Sequence, residues 1–205
     1  MRYIDFSHIL DESTSVNPGA PPATINKIFD LQVDGHTDYQ VDTGMHVGTH
    51  VDAPQHMLDG GQWISDLPVD GFFGRGRLID ARDAPSIGAH LRQASDAAKD
   101  DIVLMFTGFS RKYKQAEYYE SFPVIEEGFA RLAIEREVKM VGMDTPSPDY
   151  KPYPIHKLLL PHVILVIENL TNLESLLGVS DFDIVAVPPR IHAEASPTRV
   201  VAVVK

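Results

Sequence analysis

Short apolar runs rich in β-branched residues recur along the chain between turn signals. They read GRLID (76–80), IVLMF (102–106), KMVGM (139–143), VILVI (163–167), DIVAV (183–187) and RVVAVV (199–204). Each is bounded by turn residues and reads as a buried or half-buried strand. Helical periods fall between some of them. The segment 86–99 opens at a capping serine, and 125–137 places Ile125, Phe129, Leu132 and Ala133 on one stripe. The segment 171–177 (TNLESLL) carries a Thr-x-x-Glu capping box and stops at Gly178. Strands alternating with few helices predict an α/β class with a mixed sheet. No charge run, low-complexity tract or internal repeat divides residues 1–205, so one domain is expected. Proline-rich loops at 17–22, 145–154 and 187–197 are candidate site carriers.

Composition narrows the chemistry. At 205 residues with 43% hydrophobic side chains, folding should bury roughly 70 to 75% of the unfolded surface, so the core needs no staples. The chain has no cysteine, which excludes disulfides, thiolate zinc sites and cysteine nucleophiles and points to a reducing, cytoplasmic setting. Eighteen basic and 29 acidic residues give a net charge of −11, a balance that repels phosphate backbones and anionic lipid surfaces. Neither nucleic acid nor a membrane is therefore an expected partner, which leaves a small-molecule substrate open. No window approaches the roughly 18 apolar residues of a membrane span, and Met1-Arg2-Tyr3-Ile4-Asp5 opens no leader pattern. There is no P-loop, no Gly-x-Ser-x-Gly elbow, and Gly74-x-Gly76 lacks the third glycine of a dinucleotide fingerprint.

The segment DTGMHVGTHVDAPQHMLDGG (42–61) packs His46, His50, Asp52 and His56 close together. Nitrogen and oxygen donors of this kind suit a borderline divalent cation such as Zn²⁺ or Mn²⁺. On a helix Asp52 would point away from His46 and His50, and Gly48 and Pro54 oppose a helix in any case. On an extended strand, positions 46, 48, 50 and 52 share one side, with bare Gly48 leaving room for the ion. Pro54 should bend the chain before His56. That displacement suits a proton shuttle beside the metal; the alternative is a fourth ligand. Glu168 ends an apolar strand, where an unpaired carboxylate is costly to bury.

HVGTHVDAPQH (46–56) resembles the His-x-Gly-Thr-His-x-Asp-x-Pro-x-His signature of the metal-dependent cyclase family, which includes kynurenine formamidases and isatin hydrolases. The resemblance continues through Asn17-Pro18-Gly19, DGGQWISDLPVDGFFGRGRLID (59–80), GMDTPSPD (142–149), His156, VILVIENLTNL (163–173) and SPTRVVAVV (196–204). It implies a swivelling β/β/α fold, a homodimer or homotetramer, and hydrolysis of a small cyclic or aryl amide using one or two metal ions. By the same resemblance His46, His50 and Asp52 match the ligands of a first ion. Asp52 would bridge to a second ion held by His156 and Glu168, and His56 matches the general acid/base. Asp144 and Thr145 would support the site; the alternative is an Asp-Thr-Pro turn capping backbone amides. Phe6, Val16 and Phe29 lie near loops able to cover a substrate. The early loop reads SVNPG (15–19), without the aromatic residue that kynurenine formamidases usually carry there, which weakens aryl-formamide specificity. His8, His36, His90, His162 and His192 lack clustered spacing and read as surface or satisfied core positions.

Three functions are compatible with these residues. One is a hydrolase in which metal-activated water attacks a carbonyl and His56 protonates the leaving group. Another is a lyase or cyclase using the same ion as a Lewis acid. The third is a non-catalytic metal-binding module in which His56 closes the coordination shell.

Overall fold

The computed structural model describes residues 1–82, 84, 86–88 and 96–205. Among them the chain runs through β1 (Arg2–Asp5), β2 (Thr24–Phe29), α1 (Leu31–Asp34), β3 (Asp38–Asp42), β4 (His50–Asp52), β5 (Phe73–Asp80) and β6 (Ile102–Phe106). It continues through α2 (Glu127–Glu135), β7 (Met140–Met143), α3 (Pro154–Leu159), β8 (Leu165–Glu168), β9 (Phe182–Val185), β10 (Ala195–Pro197) and β11 (Val201–Val204). Nine strands form one sheet in the order β1-β11-β9-β5-β6-β7-β8-β4-β10. The central β5, β6, β7 and β8 run parallel, and the other neighbours pair antiparallel. This is the mixed α/β sheet the apolar runs predict.

The parallel strands explain why those runs are continuous rather than alternating. All five residues of β6 are buried. Ile102, Leu104 and Phe106 enter one apolar cluster with Met140, Ile167 and Val51, while Val103 and Met105 enter another with Phe129, Leu159 and Val166. A sheet covered on both faces selects apolar side chains at every position. Helix α2 contributes Phe129 and Ala133 to the second cluster, as its stripe predicts, together with Ala130, while Leu132 is only partly buried against it. The first cluster holds Phe6 and Phe182 instead.

Several boundaries differ from expectation. The 171–177 segment forms only a one-turn 3₁₀ helix, Leu173–Leu176, entered by left-handed Asn172 without a side-chain cap. Its Thr171 amide is drawn to the Phe6 carbonyl instead, so a tertiary hydrogen bond replaces the local box. The strand expected at 163–167 starts two residues later, because Val163 adopts a left-handed conformation, φ +58°. The helix expected over 86–99 lies largely outside the described residues. Among the described residues, strands β2 and β3 pair only with each other. Together with α1 they form a ribbon whose Ile28, Phe29, Leu31, Val33, Tyr39 and Val41 are exposed in the single chain. Among the described residues no helix is long and apolar enough to cross a membrane.

Candidate metal centre

The centre forms where β4 meets β8. Their antiparallel register sets His50 opposite Glu168 and Asp52 opposite Val166, so His50, Asp52 and Glu168 share one face of the sheet. That face is the one α3 packs on, through Ile155 and Leu159, and α3 brings His156 down onto it. His156 thus lies in the first turn of a helix beginning at Pro154, where the proline-rich loop 145–154 ends. Proline at the first helical position is favourable there, since its absent N–H has no intrahelical partner to lose.

Asp52 is the hub. Its Oδ1 lies 3.0 Å from His46 Nδ1 and 3.5 Å from His50 Nε2, and its Oδ2 lies 3.5 Å from His156 Nε2. Glu168 completes the group, with Oε2 3.2 Å from His50 Nε2 and Oε1 3.2 Å from His156 Nε2. All five residues expected as ligands therefore converge. His46 gets there differently from expectation. Residues 46–49 form a turn rather than an extended strand, and Gly48 has φ +66°. A Cβ at Gly48 would meet Thr14 Cγ2 at 3.4 Å and the Tyr113 hydroxyl at 4.0 Å, not the space between the donors. Glycine is needed here for its left-handed backbone rather than to leave room for an ion, and His46 joins the centre through this turn rather than by strand parity.

Hydrogen bonds around the centre aim the imidazoles inward. His50 Nδ1 lies 2.8 Å from the Gly48 carbonyl, and that carbonyl also accepts from Asn169 Nδ2, whose Oδ1 takes the buried Tyr118 hydroxyl. His156 Nδ1 lies 2.7 Å from Asp149 Oδ1, while Asp149 Oδ2 accepts the Ile155 and His156 amides. What remains pointing inward is unsatisfied: His50 Nε2, both Asp52 carboxylate oxygens and His156 Nε2 are buried without a hydrogen-bond partner. Buried polar groups are rarely left so, and unpartnered lone pairs facing one another fit a bound cation. Mixed nitrogen and oxygen donors without sulfur suit zinc or manganese.

Electrostatics agree. Burial opposes a charge on His46, but the carboxylates of Asp52, Glu168 and Glu194 outweigh it and raise its pKa to about 9. His50 and His156 are likewise raised against burial, His50 chiefly by the Asp52 carboxylate and His156 chiefly by its bond to Asp149. In turn, Asp52 and Glu168 are lowered by the imidazoles although burial pushes them up. A carboxylate pair this close holds positive charge in some form, either protons on the imidazoles or a metal ion. His56 goes the other way. Burial, aided by the positive charge of His46 and His156 and opposed by Asp52, lowers its pKa.

His56 sits in a 3₁₀ turn, Pro54–His56, its ring centroid 4.3 Å from that of His46 and 5.6 Å from that of His156. His46, Asp52 and His56 each have a donor atom within 4.8 Å of the others, as do His50, Asp52 and Glu168. The centre opens on a cavity of about 400 Å³ lined by His46, His50, His56, His156 and Glu168, and on its other walls by Tyr119, Tyr153, Asn17 and Ser147.

Other expected positions fall elsewhere. Asp144 and Thr145 are fully buried. Asp144 Oδ1 accepts the Thr107 amide and hydroxyl, tying the end of β7 to the end of β6, which is the capping alternative. Phe6, Val16 and Phe29 do not line the cavity. His8 stacks on Tyr113 at 3.5 Å, and burial, aided by Lys114, lowers its pKa to about 4. Unforeseen were Asp149, Tyr119, Tyr153, Asn169 and Glu194. None stands in a periodic or clustered pattern; Asp149 and Asn169 lay inside segments of the resemblance, with no role attached to either.

A nitrogen and oxygen donor set at the end of a parallel strand, facing a cavity with a neutral histidine alongside, defines a metal-centre α/β enzyme class. A family profile described as "Putative cyclase" matches residues 4–150, and the chain belongs to that family. A kynurenine formamidase of Bacillus cereus is 28% identical over 205 residues, spanning 98% of this chain and 96% of that protein. An isatin hydrolase bound to the product analogue thioisatinate superposes with a TM-score of 0.86 at 21% identity, covering 99% of this chain and 92% of that one. A structure described as a potential metal-dependent hydrolase with cyclase activity matches with a TM-score of 0.79 at 25% identity, covering 98% and 96%.

Proposed function

We infer that this protein is a metal-dependent hydrolase that cleaves the carbon–nitrogen bond of a small amide, formamide or lactam. The observation that carries the reading is the set of buried, unpartnered donor atoms of His50, Asp52 and His156 beside an open cavity that also holds His56. A purely structural centre would be closed by its ligands; the cavity here argues for an exchangeable position. The similarity to a kynurenine formamidase along nearly the whole chain supports the bond class.

His46, His50, Asp52, His156 and Glu168 would hold zinc or manganese, and the two oxygens of Asp52, facing different imidazoles, favour two ions over one. When bound, such an ion lowers the pKa of water and offsets charge developing on a carbonyl oxygen. His56, kept neutral by burial, takes a proton on a ring nitrogen as water attacks and returns it to the leaving nitrogen. Tyr119 and Tyr153 supply the aromatic wall that the SVNPG loop does not, so an aryl amide remains within the substrate class.

Elemental analysis of protein purified without chelator should find about two equivalents of zinc or manganese, and formamides or a lactam should be hydrolysed. Metal-free protein with hydrolysis intact would refute the reading. Because ligands must shed protons to bind, and the surrounding carboxylates raise the His46 pKa to about 9, apparent affinity should rise by about tenfold per pH unit for each proton displaced between pH 6 and 8. Isothermal titration in buffers of different ionisation enthalpy measures that release.

We also propose that the β2–β3 ribbon packs against a second copy of the chain as a homodimer or homotetramer. A two-stranded ribbon is marginal alone in water, and among the described residues no other strand pairs with it. Sedimentation at micromolar concentration checks this, and a monomer mass overturns it.

A further inference from the structure

Each imidazole at the centre has two nitrogens, and only the inward one can meet a cation. His50 presents its outward nitrogen to the Gly48 carbonyl and His156 presents its own to Asp149. His46 follows the same plan with a partner that no resemblance or pattern marked. Its Nδ1 faces Asp52 at 3.0 Å and its Nε2 lies 3.4 Å from Glu194 Oε1. We propose that Glu194 is a positioning residue for the metal centre, holding His46 so that Nδ1 faces Asp52 and strengthening that imidazole as a donor. The proposal rests on the metal-centre reading above.

The fold places Glu194 there through β10. Ala195 pairs with Asp52, and the Ala53 amide donates to the Glu194 carbonyl at 2.9 Å. The backbone of Glu194 is thus pinned to the end of β4 while its carboxylate reaches over the turn carrying His46. The other two outward partners are buried, but the His46 and Glu194 side chains are 33% and 37% exposed. Of the three outward contacts this ion pair is the one that solvent reaches, so a charged acceptor matters more here than the neutral carbonyl that suffices for buried His50. A carboxylate on the outward nitrogen fixes the tautomer and makes the inward nitrogen more basic, and losing such a partner typically costs about 10- to 100-fold in metal affinity.

The test uses the full-length, metal-loaded protein. Competition against a chromogenic chelator measures affinity, and the visible spectrum of the cobalt-substituted protein reports ligand geometry. Glu194→Ala should weaken the less tightly held ion by about 10- to 100-fold, shift the cobalt bands, and still bind the wild-type number of ions at saturating metal. Glu194→Gln should recover part of the loss, because its amide oxygen still accepts the His46 N–H. Glu135→Gln removes the same charge from the exposed face of α2 and should hold metal as wild type does. Wild-type affinity and spectra in both Glu194 variants would overturn the proposal, and so would loss of a whole equivalent at saturation, which would make Glu194 a ligand. A wild-type protein that binds no divalent ion would instead overturn the metal-centre reading beneath it.

Discussion

The His50→Ala protein is expected to lose bound metal and, with it, hydrolysis. His50 Nε2 stands 3.5 Å from Asp52 and 3.2 Å from Glu168, so its removal takes one donor from the ion and leaves two buried carboxylates facing each other with less positive charge between them. Lewis-acid stabilisation is worth several kcal/mol, which at about 1.4 kcal/mol per tenfold corresponds to a fall in kcat/KM on the order of 10³. Stripping one partner from a buried charged cluster can also cost about 3 to 5 kcal/mol of stability, so Asp52→Asn serves as the companion. It keeps the shape of the side chain while removing the charge that both oxygens present to the imidazoles. Elemental analysis and kcat/KM read both variants. Unchanged occupancy in either would remove these residues from the ligand set.

The second large effect is expected at His56. His56→Asn should retain metal near the wild-type content and lower kcat by roughly 10² to 10⁴, the usual contribution of a general acid/base. An amide nitrogen leaves poorly without a proton, whereas an activated ester with a good leaving group needs none. The variant should therefore be far less impaired on such an ester than on an amide. In the wild type, loss of the neutral form on acidification should cut kcat/KM, with its midpoint below the ordinary histidine value because burial lowers the His56 pKa; the variant should lack that limb. If ions were lost from His56→Asn, the nearness of a His56 donor atom to those of His46 and Asp52 would mean coordination, and the shuttle role would have to go elsewhere.

Much of the molecule was legible because it is recorded locally. The runs IVLMF and MVGM are apolar throughout because strands β6 and β7 are covered on both faces, and that requirement writes itself into consecutive residues. The donor types at 46, 50, 52 and 56 were legible for the same reason, since one short segment carries them. His156 and Glu168 were placed by resemblance, Glu168 with slight support from its strand-end position. The route by which His46 joins them was not legible. A left-handed Gly48 and an extended Gly48 look the same in sequence, and what selects the turn includes Asn169, which donates to the Gly48 carbonyl from a distant segment and is itself held by the Tyr118 hydroxyl.

By itself, then, the chain determined which atoms are available to grip a cation and which strands are sealed from water, because composition and spacing are properties of neighbouring residues. Only the tertiary structure decided which nitrogen of each imidazole faces inward and which oxygens hold the other. Those partners, Asp149 and Glu194 among them, arrive from separate strands and loops by sheet register. Hydrogen-bond direction depends on that three-dimensional pairing, on which the order of residues along the chain is silent.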